Sequence, residues 1–525
     1  MKAHLRLAQA LEAALKVARD QVVRGTDLSQ HVRAFLVKQG CLLEIMRGWY
    51  FLVPPDAPRG ETALWHGHFW TFLSLYLEDR VGEEYCLSPE ISLDLQSGET
   101  ATPTQAVAIL SHGGNNTTTL RFADTGISCS LLTYAAPERL PANPVKYRGL
   151  NLMPVGHALA RVTPTYFRTN RPQAEVLLRT ASAPALVSGI LEVGTEAGAA
   201  RVLGGLETLG MKERANQVRG LLALTGWTKS VNPFPDDQPL LPAIIRPVSP
   251  SADRIRLLWQ QMRPVVLEHF PSAPAAPDPS AFFVKAHELY EYDAYHSLSI
   301  EGFQVTPELI ARIAAGGDSD DPAMKEENNR LAAKGYRLAH GSVLASIGKI
   351  FDGGQPGNTV STDLPYWYSE LHRPFVQVGR LSAADLAGYR ERPVFLKGAS
   401  HVPPAPGPAL IDSMEAFSAA IEGEDESSVR AVLGHFVFVY IHPFSDGNGR
   451  MGRFLMNAML ASGGYPWTIV RVSRRSQYME ALETASTGRN IAPFAKFIAG
   501  EMAIDWSAER ADPARRVRIE TKKEK

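Results

Sequence analysis

Hydrophobic positions recur with helical spacing over most of this chain, and the places where that spacing breaks mark its divisions. Leu5, Leu7, Ala8, Leu11, Ala14 and Leu15 give a first helix one apolar face. A second helix is expected through Val32, Phe35 and Leu36, capped by Thr26 or Asp27 and stopped at Gly40. Leu42–Met46 and Trp49–Val53 then read as extended runs around an Arg47-Gly48 turn, closed by Pro54-Pro55. Further strands are expected at Ala106–Ser111, Thr118–Phe122 and Ile127–Tyr134, with Gly113-Gly114-Asn115-Asn116 as a turn. From Gln173 to Thr225 the pattern is helical and rich in Ala and Leu. Prolines punctuate 233–250, helix resumes at Ser251–His269, and Pro271–Pro279 interrupts it again. From Phe282 to about residue 505 the chain reads as mainly helical, broken by one extended segment at Val394–Pro404.

A chain of 525 residues exceeds what one core organises. The divisions expected are 1–55, an α/β then helical region at 56–230, a proline-rich linker and helix at 231–281, a helical domain at 282–505, and a charged tail at 506–525. With 45% apolar and 21% charged residues the composition is that of a soluble globular protein. The net charge of -1 points to neither nucleic acid nor membrane as a partner of the whole chain. No apolar run approaches the roughly 20 residues of a membrane span. Cys41, Cys86 and Cys129 fit neither a disulfide framework nor a zinc site, so a cytoplasmic location is expected, and the amphipathic N-terminus does not read as a signal peptide.

Helix, helix and hairpin in the first 55 residues outline a winged helix-turn-helix with Arg47-Gly48 at the wing tip. Its bases (Lys2, Arg6, Lys16, Arg19, Arg24, Arg33, Lys38, Arg47) outnumber nearby acids, which makes DNA a candidate partner; a small protein-interaction module is the alternative. Residues 1–230, with Gly48-Trp49-Tyr50-Phe51-Leu52-Val53-Pro54 and the mixed region after it, resemble the AbiEi-type antitoxins and transcriptional regulators. That resemblance implies a regulatory, DNA-binding half and no chemistry.

Chemistry concentrates in Ile441–Arg453. His442 is followed by Pro443, which ends the preceding helix, and then come Asp446, a Gly447-Asn448-Gly449 turn, Arg450 and Arg453. Met451, Phe454, Leu455, Ala458 and Met459 place a new helix after the turn, so its free N–H groups and two arginines form an anion site. A histidine beside such a site can take a proton near neutral pH, and a lone carboxylate suits Mg²⁺ held mainly by phosphates. Gly447 and Gly449 admit close approach of phosphate, Asn448 offers side-chain donors, and Phe444 reads as an apolar anchor.

The complete pattern His-Pro-Phe-x-Asp-Gly-Asn-Gly-Arg-x-x-Arg resembles that of Fic-domain proteins, over roughly 282–505. The resemblance implies transfer of AMP from ATP, with Mg²⁺, to a Ser, Thr or Tyr hydroxyl of a target protein or of the chain itself. His442 would be the base, Asp446 the metal ligand and Arg453 the γ-phosphate contact. It also implies that Val394–Pro404 is a β-hairpin flap on which the target docks, and that Tyr478 lies near the adenine; Ser486 departs from the family's Asn. Ser297-x-x-x-Glu301-Gly302 is similar to the family's inhibitory motif, in the class that carries it on an N-terminal helix, with Glu301 competing for Arg453. Two other activities stay open: removal of AMP at the same site, and DNA-binding regulation with accessory Fic activity. A homodimer is a further candidate assembly. Gly348-Lys349 is not a phosphate loop, because Ile350 stands where Ser or Thr is needed, and His66-Gly67-His68 lies among aromatics and is read as core or surface histidines, not a metal site.

Overall fold

The computed structural model describes residues 2–53, 62–99, 101–122, 126–242, 248–274, 278–315 and 324–506. Pro54-Pro55, Pro247 and nearly all of the charged tail lie outside them, as does the Lys2 side chain. The chain divides into two compact units, Met1–Leu257 with Pro393–Pro404, and Leu258–Arg392 with the rest. Mostly helical, it carries an α/β region in the first unit. Among the described residues no single helix is long and apolar enough to cross a membrane.

In the first unit, helix Lys2–Val17 precedes strand β1 (Val22–Arg24), helix Gln30–Lys38, and strands β2 (Leu42–Met46) and β3 (Trp49–Leu52). The sheet order is β1-β3-β2, all antiparallel. Gly48 turns the β2–β3 hairpin at φ +86°. β1 is too short to register as a hydrophobic run, and its pairing with β3 makes it a strand. The cap of the second helix is Ser29, which accepts the Val32 N–H, rather than Thr26 or Asp27, because Gly25–Asp27 is already wound as a 3₁₀ turn.

Helix Ala63–Val81 is apolar on most faces, so no amphipathic stripe announces it. It buries Trp65, Phe69 and Phe72 against Phe51 and Phe122. The predicted strands form β5 (Gln105–Leu110), β6 (Asn116–Phe122) and β7 (Ile127–Ala135), joined by β4 (Tyr85–Leu87) in the order β4-β5-β7-β6. Only β5 and β7 run parallel. Strands β8 (Val145–Tyr147) and β9 (Leu150–Leu152) make a separate hairpin. A helical array from Val155 to Leu221 follows. The proline-studded stretch after it is no free tether: Phe234 lies in the helical core, Arg171 pairs with Asp236 at 2.8 Å, and Glu175 accepts the Leu240 N–H at 3.0 Å.

Residues 394–404, expected as a β-hairpin flap, form no strand. Pro393, Pro403 and Pro404 lack the donors a ladder needs, and the segment turns instead at Lys397-Gly398, with Gly398 at φ +72°. Phe395 packs on helix Ala63–Val81, its ring 4.9 Å from that of His68, and a Cβ added at Gly67 would lie 2.5 Å from the Phe395 ring.

The second unit is helical, with Pro279–Ile300, Met324–Phe351, Pro356–Gln377 and Pro408–Glu422 around two helices buried on nearly every face, Ser427–Ile441 and Asn448–Ser462. Both lie at the centre, and the polar side chains buried on them, Arg450 and Arg453 among them, are held by hydrogen bonds. Arg263 reaches Glu424 through two hydrogen bonds of 2.8 and 3.0 Å, tying the end of helix Pro250–His269 to the loop before the central pair.

Candidate active site

His442 is the first residue beyond helix Ser427–Ile441 and adopts a left-handed φ of +53°. Its N–H closes the helix on the Phe438 carbonyl at 2.9 Å, and Pro443 prevents any continuation. Nδ1 lies 3.2 Å from the Val439 carbonyl. A carbonyl only accepts, so Nδ1 carries the proton and Nε2 keeps a lone pair. Burial pushes the His442 pKa down to about 4, with Arg390 acting in the same direction. The imidazole is therefore a neutral base at pH 7.

The loop after it is pinned by Phe444, which stacks on Tyr368 with ring centroids 3.8 Å and planes 6° apart. Asn448, expected to offer side-chain donors, engages the backbone of the loop. Its amide accepts the Phe444 N–H at 2.9 Å and donates one N–H to the Phe444 carbonyl at 2.8 Å, so it braces the loop from within. Gly447 begins the second central helix at φ +81°, and a Cβ there would lie 3.0 Å from both Leu371 and His372. Glycine is required on both counts.

Arg450 and Arg453 are buried beneath this turn, at 1% and 2% exposure. Arg450 donates from Nη2 to Asp446 Oδ2 at 2.8 Å and sits over the Phe303 ring, while Nε and Nη1 make no hydrogen bond. The Asp446 side chain is 70% exposed. Desolvation opposes its charge, and the Arg450 guanidinium outweighs this, holding the carboxyl below its usual range. Arg453 donates from Nε to Ser297 Oγ at 2.8 Å, and from Nη2 to the Ser297 carbonyl at 3.1 Å and to Glu301 Oε1 at 2.7 Å. Burial works against its positive charge, and the Glu301 carboxylate more than offsets that. Glu301 caps helix Pro279–Ile300, and Gly302 turns the chain away at φ +89°. A Cβ added at Gly449 would strike Glu301 Oε1, so this carboxylate lies directly over the glycine turn.

Most of the predicted residues thus converge. Tyr478, expected near an adenine, lies beneath the turn, where the charges of Arg453 and Glu301 reach its hydroxyl. It is 1% exposed, with its hydroxyl 2.7 Å from His435 Nε2, so it belongs to the core. Burial raises its pKa to about 12 and lowers that of His435 to about 3, which leaves a neutral hydroxyl donating to a neutral ring. Ser486 turns back to the Leu482 carbonyl of its own helix at 2.8 Å. Lys349 pairs with Asp363 at 2.7 Å, and His66 lies 3.1 Å from Thr102 Oγ1, both as structural groups. Among the described residues no cluster of three metal-ligating side chains occurs. Sequence reasoning passed over Arg390, whose Nε donates to the His442 carbonyl at 2.8 Å; a single arginine in an irregular stretch carries no spacing signal.

Residues 365–460 match the family model described as Fic/DOC family. Protein adenylyltransferase Fic of Drosophila virilis is 35% identical over 221 residues, which is 40% of this chain and 41% of that relative. The Drosophila melanogaster protein of the same name is 34% identical over 221 residues, covering 40% of each. The chain therefore spans less than half the length of these curated relatives. Among solved structures, Fic-1 from C. elegans is similar at 17% identity, covering 69% of this chain and 92% of that one, with a TM-score of 0.36.

Proposed function

We propose, for a chain that carries a Fic domain, that it transfers AMP from ATP to a Ser, Thr or Tyr hydroxyl of a target protein and of itself. One observation carries the reading: a neutral histidine with a free Nε2 stands on the same turn as two buried guanidiniums that keep unengaged N–H donors. Donors of that kind, with glycine N–H groups at a helix start, suit a polyphosphate. The hydroxyl oxygen would attack the α-phosphorus as its proton passes to Nε2 of His442. The bond to the β-phosphate oxygen would break, and pyrophosphate would leave. Gly447, Gly449, Arg450 and Arg453 would hold the phosphate chain in line. Asp446, exposed and the one carboxylate of the loop, fits Mg²⁺ of the kind bound mostly by phosphate oxygens, which would neutralise phosphate charge.

Glu301 would act as an intramolecular inhibitor, since its carboxylate occupies the Arg453 donor that a γ-phosphate needs and overhangs Gly449. Ser297 and Gly302 would set its position. The target would dock along residues 394–404, residues 1–55 would act as a winged helix able to bind DNA, and the chain would work in the cytoplasm, with a homodimer as one assembly. AMP removal is the second reading, favoured by the placement of Glu301 Oε1 over the turn, where it could orient a water.

The deciding experiment incubates the Glu301→Gly chain with ATP labelled at either the α- or the γ-phosphate. Label is expected on protein from the α-position only, at a rate above wild type, and lost on adding His442→Ala. Undiminished labelling in the double variant would remove His442 from the chemistry. AMP release from pre-modified protein by wild type would favour the second reading.

A further inference from the structure

The left-handed backbone of His442 needs an explanation, because a histidine there has no conformational licence of its own. The preceding helix supplies only the contacts to Phe438 and Val439. The rest comes from Arg390, 4% exposed and lying in an irregular stretch of the same unit. Its Nε donates to the His442 carbonyl at 2.8 Å, and its backbone N–H donates to the Pro443 carbonyl at 2.9 Å. Nη1 reaches the Arg392 carbonyl at 3.1 Å, which fixes the plane of the guanidinium. Two successive carbonyls at the strained turn are thus held by one residue, one of them through a charged donor, the stronger kind of hydrogen bond.

We infer that Arg390 is a positioning residue for AMP transfer: it locks the His442-Pro443 turn so that the imidazole stands with Nδ1 on Val439 and Nε2 open to the hydroxyl. The inference rests on the proposed reaction, but its geometry does not. On this turn Arg390 binds main-chain oxygens that stay in place, whereas Arg450 is held by, and Arg453 partly by, a carboxylate side chain able to swing away. Its positive charge also disfavours protonation of His442, against the pull of Glu301 and Asp446, so it serves geometry and the neutral base together.

The test compares Arg390→Met, Arg390→Lys and Arg390→Ala in the Glu301→Gly background. Expected for Arg390→Met is a fall of about 30- to 100-fold in kcat, the scale of a misplaced catalytic group, with the Kd for ATP changed less than about twofold. Arg390→Lys should recover part of the loss, and guanidinium ion should restore part of the rate of Arg390→Ala. Nitrogen-15 spectra of histidine-labelled full-length chain, with the His442 signal identified by its absence in His442→Gln, give a readout free of turnover. A single Nδ1–H tautomer is expected in the parent and an averaged one in Arg390→Met. Unchanged kcat with an unchanged tautomer overturns the inference, as does a kcat loss matched by an equal loss of ATP binding. If Arg390→Met fails to fold, the Arg390→Lys and guanidinium arms decide, and no recovery in either counts against it. Should the Glu301→Gly parent transfer no AMP while the tautomer still averages in Arg390→Met, the positioning role stands and the proposed reaction falls.

Discussion

Both units hold buried arginines on main-chain oxygens, Arg179 in the first and Arg390 in the second, but two arginines of the second unit are used differently. In the first unit the buried Arg179 donates to the Leu241 carbonyl, and the half-buried Arg201 and Arg214 donate to the Ala160 and Leu178 carbonyls at 2.9 and 3.1 Å. Even Arg171 has a fixed main partner, because Glu175 is fully buried and also accepts the Leu240 N–H at 3.0 Å. In the second unit Arg450 and Arg453 pair with Asp446 and Glu301, whose side chains are 70% and 28% exposed. Main-chain oxygens cannot leave, whereas a carboxylate that reaches solvent can rotate into water once another anion takes its place on the buried cation. A buried cation whose partner is displaceable is equipped to exchange it for another anion, and a buried cation on carbonyls is equipped to hold a fold.

The largest effects should expose this contrast. Arg453→Met in the Glu301→Gly background is expected to cut AMP transfer about 100- to 1,000-fold, the loss usual for one donor aimed at developing charge. Initial-rate labelling checks it. Arg179→Met is expected to destabilise the first unit by about 1–3 kcal/mol through an unpaired Leu241 carbonyl, measured by urea unfolding, with transfer per folded molecule unchanged. Equal kinetic damage from both would erase the distinction. Next in size, Asn448→Ala strands the Phe444 N–H and carbonyl, both buried, and is expected to cost about 2–4 kcal/mol. If its effect fell only on the KM for ATP with no loss of stability, Asn448 would be a phosphate ligand after all.

The loop was legible from sequence because its chemistry lies in one contiguous run, where Gly447 must be glycine and His442 must precede a proline. The contact of Glu301 with Arg453 was legible too, through the short motif that carries Glu301. The contacts that escaped depend on distant segments. Arg390 and Tyr368 meet the loop from elsewhere in the chain, and Asn448 turns inward because the Phe444 backbone needs a partner. Tyr478 follows a buried histidine 43 positions earlier, which no local pattern could reveal. In the first unit, hydrophobic alternation found β5, β6 and β7 to within two residues. It missed helix Ala63–Val81, whose burial on several sides removes the stripe that marks a helix.

Smaller effects test the two units separately. Gly67→Ala would push a methyl into Phe395 at 2.5 Å, and overpacking of this kind is expected to cost the first unit about 1–3 kcal/mol, read as a lower urea midpoint. An unchanged midpoint would mean that Phe395 is not held there in solution. In the second unit the smallest signal concerns pH. A histidine at the ordinary pKa of about 6.5 would lose roughly tenfold in its neutral form between pH 7.5 and 5.5. With His442 held at about 4, transfer is expected to change less than about twofold over that range and to fall only as pH nears 4. Stability should move in the opposite sense. The unfolded chain takes up protons below about 6.5 that folded His442, His435 and His340 refuse until pH 3–4, so acidification through that window destabilises the fold while activity per folded molecule persists. An activity limb near pH 6.5 with the fold intact would show that His442 is exposed and charged like an ordinary histidine.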